Sequence, residues 1–308
     1  MSSKIKVAVV GYGNIGKSAV EAVRASSDMQ LAGVVELDKE LRRIDSMSHV
    51  PSGMAGLRFV SHVEVLGEVD VALLCCPSRN VPEIAEEYLK LRINTVDSFD
   101  IHGEPLWNLR QQLDKAGKNY GAVSILSAGW DPGSDSIVRI LMEAMAPKGI
   151  TYTSFGPGMS MGHTVVAKSK TGVRSALSMT IPAGAGVHRR MVYVELEPGA
   201  NFDSIVQAIK SDDYFVKDET MVVQVDDVNA LLDMGHGVAM ERKGVSGVTH
   251  NQMFAFRMKI NNPALTAQIM TACGRAAMRQ QPGAYTMPEI PVMDLLPGNR
   301  ETLVKRLV

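Results

Sequence analysis

Apolar positions along this chain follow two regimes. Short runs dominated by Val, Ile, Leu and Ala lie at Ile5–Val10, Met29–Val35, Val69–Leu74, Thr95–Asp97 and Ala122–Leu126. The segments Ile15–Ala25, Val81–Arg92 and Leu106–Gly117 instead space their apolar residues three and four apart, which lines one face of a helix. Strands that are apolar on both sides belong in a sheet covered on both faces, and their alternation with helices predicts a Rossmann-type, doubly wound parallel α/β sheet.

From about Lys148 the pattern changes. Thr151–Phe155, Leu177–Pro182, Met191–Glu197 and Asn251–Ile260 read as antiparallel strands, with a helix over Phe202–Ser211 between them. After Asn261-Asn262-Pro263, a helical period over Ala264–Gln280 and a polar tail read as a return to the first domain. The expected organisation is a dinucleotide-binding domain over 1–127, completed by 264–308, and an α+β substrate-binding and dimerisation domain over 128–263. A length of 308 residues exceeds the usual size of one core and agrees with two.

Charge and composition narrow the partners. Lys and Arg number 32 against 33 Asp and Glu, and no long basic run occurs, so nucleic acid is excluded as an expected partner. No apolar run approaches the roughly 20 residues of a membrane span, and Met1-Ser2-Ser3-Lys4 lacks the order of a signal peptide, so a cytoplasmic location is expected. The three cysteines, Cys75, Cys76 and Cys273, read as reduced thiols, too few and too dispersed for a disulfide framework or a metal site.

Candidate chemistry begins at Gly11-Tyr12-Gly13-Asn14-Ile15-Gly16, between the first strand and the first helix. Gly11 permits a tight turn, Gly13 lets the backbone approach a pyrophosphate, and Gly16 lets the helix pack close to the strand. Glu36 closes the second strand, 20 residues after Gly16, where a ribose-contacting carboxylate belongs. Ligands of such sheets sit beyond the carboxyl ends of the strands, which here read Cys76-Pro77-Ser78-Arg79, Asp97-Ser98-Phe99-Asp100 and Ser127 to Gly133. Asp100 and Asp131 therefore fall at the cofactor edge, although an Asp in an Asp-Pro-Gly sequence is as often a turn residue. The segment Gly156–His163 fits either a structural loop or a set of amides offered to an anion.

Taken in order, Gly11–Gly16, Thr95–Asp100, Trp130-Asp131-Pro132-Gly133, Phe155–Gly158, Gly162-His163, Met179–Pro182, Val187–Arg190, Asp213-Tyr214-Phe215, Gly235-His236-Gly237 and Asn262-Pro263 resemble the meso-diaminopimelate dehydrogenases over essentially the whole chain. The resemblance implies reversible, nicotinamide-dependent oxidative deamination of meso-2,6-diaminopimelate at its D-configured carbon. The products are L-2-amino-6-oxopimelate, which cyclises to tetrahydrodipicolinate, and ammonia, in lysine biosynthesis. By the same resemblance Asp100 and Asp131 hold the reacting D-amino end and are the candidate proton acceptors. Trp130 and Phe155 wall the site, and the Met161-Gly162 loop supplies backbone contacts. Thr180, Arg190, His236 and Asn262 hold the L-configured end, with Arg190 forking onto a carboxylate. Gly11, Gly13, Asn14, Ile15, Gly16, Glu36, Cys76, Pro77 and Ser78 are placed at the cofactor, and a homodimer is implied.

One departure bears on the cofactor. The family is expected to use NADP through a Ser-Arg-Arg-like cluster after the second strand, where this chain has Glu36-Leu37-Asp38. A glutamate accepts from a ribose 2′-hydroxyl and repels a 2′-phosphate, so the local charge points to NAD or to dual use, with Lys39, Arg42 and Arg43 near enough in sequence to compensate. Competing readings are another Rossmann oxidoreductase, of the dihydrodipicolinate reductase or aspartate dehydrogenase type, and a catalytically silent dinucleotide sensor.

Overall fold

The structure, a computed structural model, describes residues 4–36, 56–232 and 235–308. Leu37, Asp38, Lys39, Arg42 and Arg43 lie outside the described residues. The chain falls into two compact units, one ending at Ile137 and resuming over Pro263–Val308, the other Val138–Asn262.

The first unit is built on a seven-stranded sheet, β14-β6-β5-β4-β1-β2-β3. Its strands are β1 Ile5–Val10, β2 Met29–Val35, β3 Phe59–Val60, β4 Val71–Leu74, β5 Asn94–Asp97, β6 Val123–Leu126 and β14 Gly283–Thr286. Every pairing is parallel. Its helices include α1 Asn14–Ala25, α2 Val81–Lys90 and α3 Glu104–Tyr120. Two apolar layers cover the sheet. Val7, Val9, Val20, Val23 and Met270 belong to one, and Ala8, Leu74, Ala85, Leu89 and Leu113 to the other. Strand order reverses between β1 and β4, so the carboxyl ends of these two strands open a crevice suited to a ligand.

The returning segment does more than cover this sheet. Helix α7, Asn262–Ala277, puts Ala267, Met270, Cys273 and Ala276 into the core. Arg275 Nη2 on this helix donates to Asp28 Oδ1 at 2.8 Å, Arg275 Nη1 donates to the Leu295 carbonyl, and the residue is buried. Within the expected polar tail, Gly-Ala-Tyr-Thr forms β14 against β6. Four residues with only two apolar side chains carry no strand periodicity, and the available edge of β6 makes the strand.

The second unit holds two sheets, β11-β10-β9-β8 and β13-β12-β7. The strands are β7 Lys148–Phe155, β8 Gly158–Met159, β9 Val173–Gly184, β10 Val187–Leu196, β11 Glu219–Gln224, β12 Gly235–Ser246 and β13 Thr249–Asn261. The four strands expected to be antiparallel each pair antiparallel; β10 also pairs in parallel with β11, a strand that the apolar pattern does not show. Helix α6, Phe202–Lys210, lies in the connection between these two strands, and such a crossover lets the chain re-enter in the same direction. Ile205 and Ile209 of α6 pack with Val192, Val194 and Phe215.

Among the described residues, three helices lie where none was expected, one of them, Arg300–Leu307, within the expected polar tail. Helix α4, Ser134–Met145, follows the Asp-Pro-Gly turn and carries the chain from one unit into the other, so the crossing falls between Ile137 and Val138 rather than at 127. Helix α5, Met161–Lys168, begins inside the segment read as a glycine-rich loop. Gly162 lowers the helical signal there, and Thr164 accepting the Ser178 amide through its hydroxyl, at 3.0 Å, helps dock the helix on β9.

Candidate active site

In the first unit the glycine turn has the geometry its three glycines predict. Gly11 sits at φ +90, and a Cβ there would meet the Cys75 carbonyl oxygen at 2.7 Å. A Cβ on Gly16 would meet the Gly11 carbonyl oxygen at 2.1 Å, so helix and turn are in backbone contact. A Cβ on Gly13 would meet nothing within 4 Å, which leaves its backbone open to a ligand. Gly13 is also the N-cap of α1, with no side-chain cap and no acidic residue in the first turn. Asn14 and Ile15 open this helix. Its first amides and the positive end of its dipole fit the pyrophosphate of a dinucleotide.

Glu36 folds back onto this turn. Its Oε2 accepts the Tyr12 amide at 2.8 Å, while the Tyr12 ring packs edge-on against Phe59 with centroids 5.0 Å apart. The carboxylate thus stands at the end of β2 beside the turn that would carry the phosphates. Cys76, Pro77 and Ser78 follow β4, on the other side of the reversal. Burial pushes the Cys76 thiol up to about 11, with the Asp97 charge adding to it, so it is not a nucleophile at neutral pH.

Ser78 has a task the sequence did not show. Its hydroxyl donates to Asp100 Oδ1 at 2.6 Å, and the Asp100 amide donates to the Ser78 oxygen at 3.2 Å. The loop after β4 therefore holds the carboxylate of the loop after β5.

A second buried acid ties the next pair of loops. Asp97 ends β5, fully buried, and its Oδ1 accepts the amides of Phe99 at 2.9 Å and Ser127 at 3.1 Å. The Asp97 carbonyl accepts the Ala128 amide at 2.7 Å, and the Ser127 hydroxyl donates to the Phe99 carbonyl at 2.8 Å. Asp97 Oδ2 has no hydrogen-bond partner among the described residues. Burial raises this carboxyl to about 6, against the two amides that favour its ionised form. It joins the strand ends that lead to Asp100 and to Trp130-Asp131.

Trp130 is buried and Asp131 partly exposed, in a tight turn where Gly129 donates to the Pro132 carbonyl at 3.0 Å. Gly133 lies at φ +142, with no room for a Cβ against the Gly129 backbone. Asp131 is a turn residue, and the turn lies between β6 and α4.

In the second unit four residues far apart in sequence gather around the two-residue strand β8. Thr180 pairs with Gly158 across β8 and β9, and Arg190 pairs with Thr180 across β9 and β10. His236 crowds Gly158, where a Cβ would lie 2.6 Å from the His236 Cα. Asn262 Nδ2 donates to the Met159 carbonyl at 3.2 Å. Sheet pairing joins Thr180 and Arg190 to β8, the close approach of β12 adds His236, and the side chain of Asn262 completes the group.

The group is partly self-satisfied. Arg190 Nη1 donates to Thr180 Oγ1, and Arg190 Nε donates to Asp218 Oδ2 at 2.6 Å. His236 Nδ1 lies 2.8 Å from the Gly237 amide nitrogen and 3.1 Å from the Gly237 carbonyl oxygen. His163 lies edge-on to Tyr214 and Phe215, with ring centroids 5.3 and 5.0 Å away, and its Nδ1 is 2.8 Å from Ser160 Oγ. Burial, then the Arg190 charge, lowers its pKa to about 4, so it is a neutral spacer.

Phe155 ends β7, and its amide donates to His188 Nε2 on β10 at 2.8 Å, a bond between the two sheets of this unit. Met161 and Gly162 form the first turn of α5 rather than a loop, and Met161 packs beside Met159, Leu177 and Val228. Amides in a first helical turn still point outward, so their backbone remains available as donors.

Residues 129–189 match the model of the diaminopimelic acid dehydrogenase C-terminal domain, and residues 5–96 match an oxidoreductase family model with an NAD-binding Rossmann fold. A meso-diaminopimelate D-dehydrogenase of Bacteroides fragilis is 57% identical over 305 residues, 99% of each chain. This chain belongs to the meso-diaminopimelate D-dehydrogenase family. Among solved structures, C. glutamicum DAP dehydrogenase in complex with DAP has a TM-score of 0.87 at 29% identity, covering 100% of both chains. An engineered D-amino acid dehydrogenase bound to NADP+ has a TM-score of 0.86 at 28% identity, covering 99% of this chain and 100% of that one.

Family membership accounts for the ordered motifs but not for the contacts that support them. Ser78 on Asp100, Asp97 between two loops, His188 on Phe155 and Asp218 on Arg190 join residues that are distant in the chain. Asp97 alone left a trace in the sequence, as a carboxylate ending an otherwise buried strand.

Proposed function

We propose that this chain catalyses the nicotinamide-dependent oxidative deamination of meso-2,6-diaminopimelate at its D-centre, and the reverse reductive amination. The observation that carries this reading is the gathering of Thr180, Arg190, His236 and Asn262 around β8. They form a compact set of donors for an amino-acid end that does not react, in a chain that also places two acidic loops at strand ends.

Gly11, Gly13, Asn14, Ile15 and Gly16 would hold the dinucleotide phosphates, with Cys76, Pro77 and Ser78 beside them. The bound dinucleotide supplies the hydride acceptor for the D-centre hydrogen. Asp100 and Asp131 bind the D-ammonium, and one of them takes its proton before the carbon–hydrogen bond breaks. The resulting iminium adds water and releases ammonia. Trp130 and Phe155 exclude bulk water, which strengthens the charge pairing. Arg190 receives the distal carboxylate, with Thr180, His236 and Asn262 fixing its orientation, so the L-end sets which centre reacts.

Cofactor use is dual or shifted to NAD. The support is Glu36, whose carboxylate is held against the glycine turn at the end of β2, where it favours a ribose 2′-hydroxyl over a 2′-phosphate.

The protein works in the cytoplasm as a homodimer. Among the described residues no helix is long and apolar enough to cross a membrane. The register of β7, β12 and β13 puts Ile150 and Met253 on either side of Lys243 in one row, and Tyr152 and Ala255 on either side of Glu241 in the next. All of them are exposed, an apolar content that suits burial against a second copy. Sedimentation of I150E/M253E at micromolar concentration should show monomers where the parent sediments as a dimer.

Following reduced cofactor at alkaline pH with the meso and LL isomers, and with NAD and NADP, tests the reaction. Turnover of the meso isomer alone is expected. No turnover with either cofactor, despite nucleotide binding, would overturn the assignment.

A further inference from the structure

The distal end of the substrate, as read above, lacks a partner for one of its charges. A zwitterionic amino-acid end presents an ammonium beside its carboxylate. The group Thr180, Arg190, His236 and Asn262 contains a hydroxyl, a cation, an imidazole and an amide, but no anion. The reacting end has two.

Asp218 stands beside this group. Parallel pairing of β10 with β11 sets Arg190 against Thr220, and Asp218 lies just before β11. Its Oδ2 accepts from Arg190 Nε at 2.6 Å. Among the described residues the donor to its side chain is Arg190 Nε, on Oδ2, and the side chain is 26% exposed, so the carboxylate is open to a further donor. Asp212, by contrast, is engaged at both oxygens, Oδ2 by Lys170 at 2.6 Å and Oδ1 by the Tyr214 amide at 3.0 Å.

We propose that Asp218 binds the ammonium at the L-configured end of the substrate, accepting one N–H on Oδ1 while Oδ2 holds Arg190 toward the neighbouring carboxylate. This rests on the function proposed above and names the missing partner in it. An alternating pair of a guanidinium and a carboxylate matches the alternating charges of an amino-acid end. Arg190 without it would accept a bare carboxylate equally well. A site built to bond a polar group rejects the analogue that lacks it, because the site's own group is then left without a partner.

The test compares wild type with D218N on meso-diaminopimelate and on D-2-aminopimelate, which keeps the distal carboxylate and lacks the distal ammonium. Wild type should prefer the meso substrate by about 100-fold or more in kcat/KM. In D218N this preference should collapse to within about fivefold through a raised KM for the meso substrate, with saturated kcat and dinucleotide KM changed less than about threefold. D218E, which restores the charge, should recover part of the preference, whereas D218A should not. Equal losses on both substrates would assign Asp218 only the orienting of Arg190 and overturn the proposal, as would an unchanged preference. Wild type inactive on meso-diaminopimelate would remove the function reading itself, whereas an active wild type with an unchanged preference in D218N would remove this inference alone.

Discussion

The Ser78 hydroxyl and the Asp100 carboxylate are 2.6 Å apart, and the Asp100 amide closes the pair by donating back to the same hydroxyl oxygen. A residue placed by its position beside the dinucleotide is thus also the anchor of a proposed catalytic acid.

S78A tests which task dominates. A hydrogen bond to a charged group is worth about 1.5–3 kcal/mol, so its loss should lower kcat on meso-diaminopimelate by about 10- to 100-fold while the dinucleotide KM stays within about threefold. Steady-state kinetics with each substrate varied in turn would show it. A raised dinucleotide KM at unchanged kcat would instead assign Ser78 to the cofactor.

Glu36 should govern cofactor choice. E36S removes the carboxylate that opposes a 2′-phosphate and leaves a hydroxyl. The NADP to NAD ratio of kcat/KM should rise by about tenfold or more, since a like-charge contact costs on the order of 1–2 kcal/mol. An unmoved ratio would place the decision elsewhere on the chain.

The second and third glycines of the turn should fail in different ways. G16A forces a Cβ to within 2.1 Å of a backbone oxygen that cannot turn aside, and should lower stability by about 1–3 kcal/mol, read as the midpoint of denaturant unfolding. G13A meets no protein atom within 4 Å, so it should unfold like the parent yet bind dinucleotide about tenfold more weakly by calorimetric titration.

Asp97 makes stability depend on pH. Its folded-state pKa of about 6 lies above the ordinary 3.8, so the folded chain holds the proton more tightly than the unfolded chain. Stability is therefore favoured at low pH and lost as pH rises from about 4 to about 6, by on the order of 3 kcal/mol. D97N keeps an acceptor for the Phe99 and Ser127 amides but cannot ionise. The unfolding free energy of wild type minus that of D97N should fall across this interval and level off above it. A difference that stays flat from pH 4 to 7 would show that Asp97 ionises normally.

Several features were set by the sequence because they rest on short-range rules. Runs such as Ile5–Val10 cannot face water on either side, so they become central strands. Gly11 must adopt a positive φ and Gly16 must carry no Cβ, so the first turn could be read residue by residue. Glu36 also follows from local position, since the end of β2 stands next to the turn after β1 in this topology.

The rest depended on tertiary structure. Gly283–Thr286 becomes a strand only because β6 has a free edge, and Met161 starts a helix because β9 offers a surface to dock on. Thr180, Arg190, His236 and Asn262 show no common pattern along the chain: strand register brings Thr180 and Arg190 to β8, the close approach of the second sheet brings His236, and a side-chain hydrogen bond brings Asn262. Likewise Asp218, in a run of mixed charges, differs from its neighbours only once β11 pairs parallel with β10 and turns it toward Arg190. Side-chain chemistry and periodicity act over a few residues, whereas these contacts span 10 to 30 residues and more and form only when the sheets close.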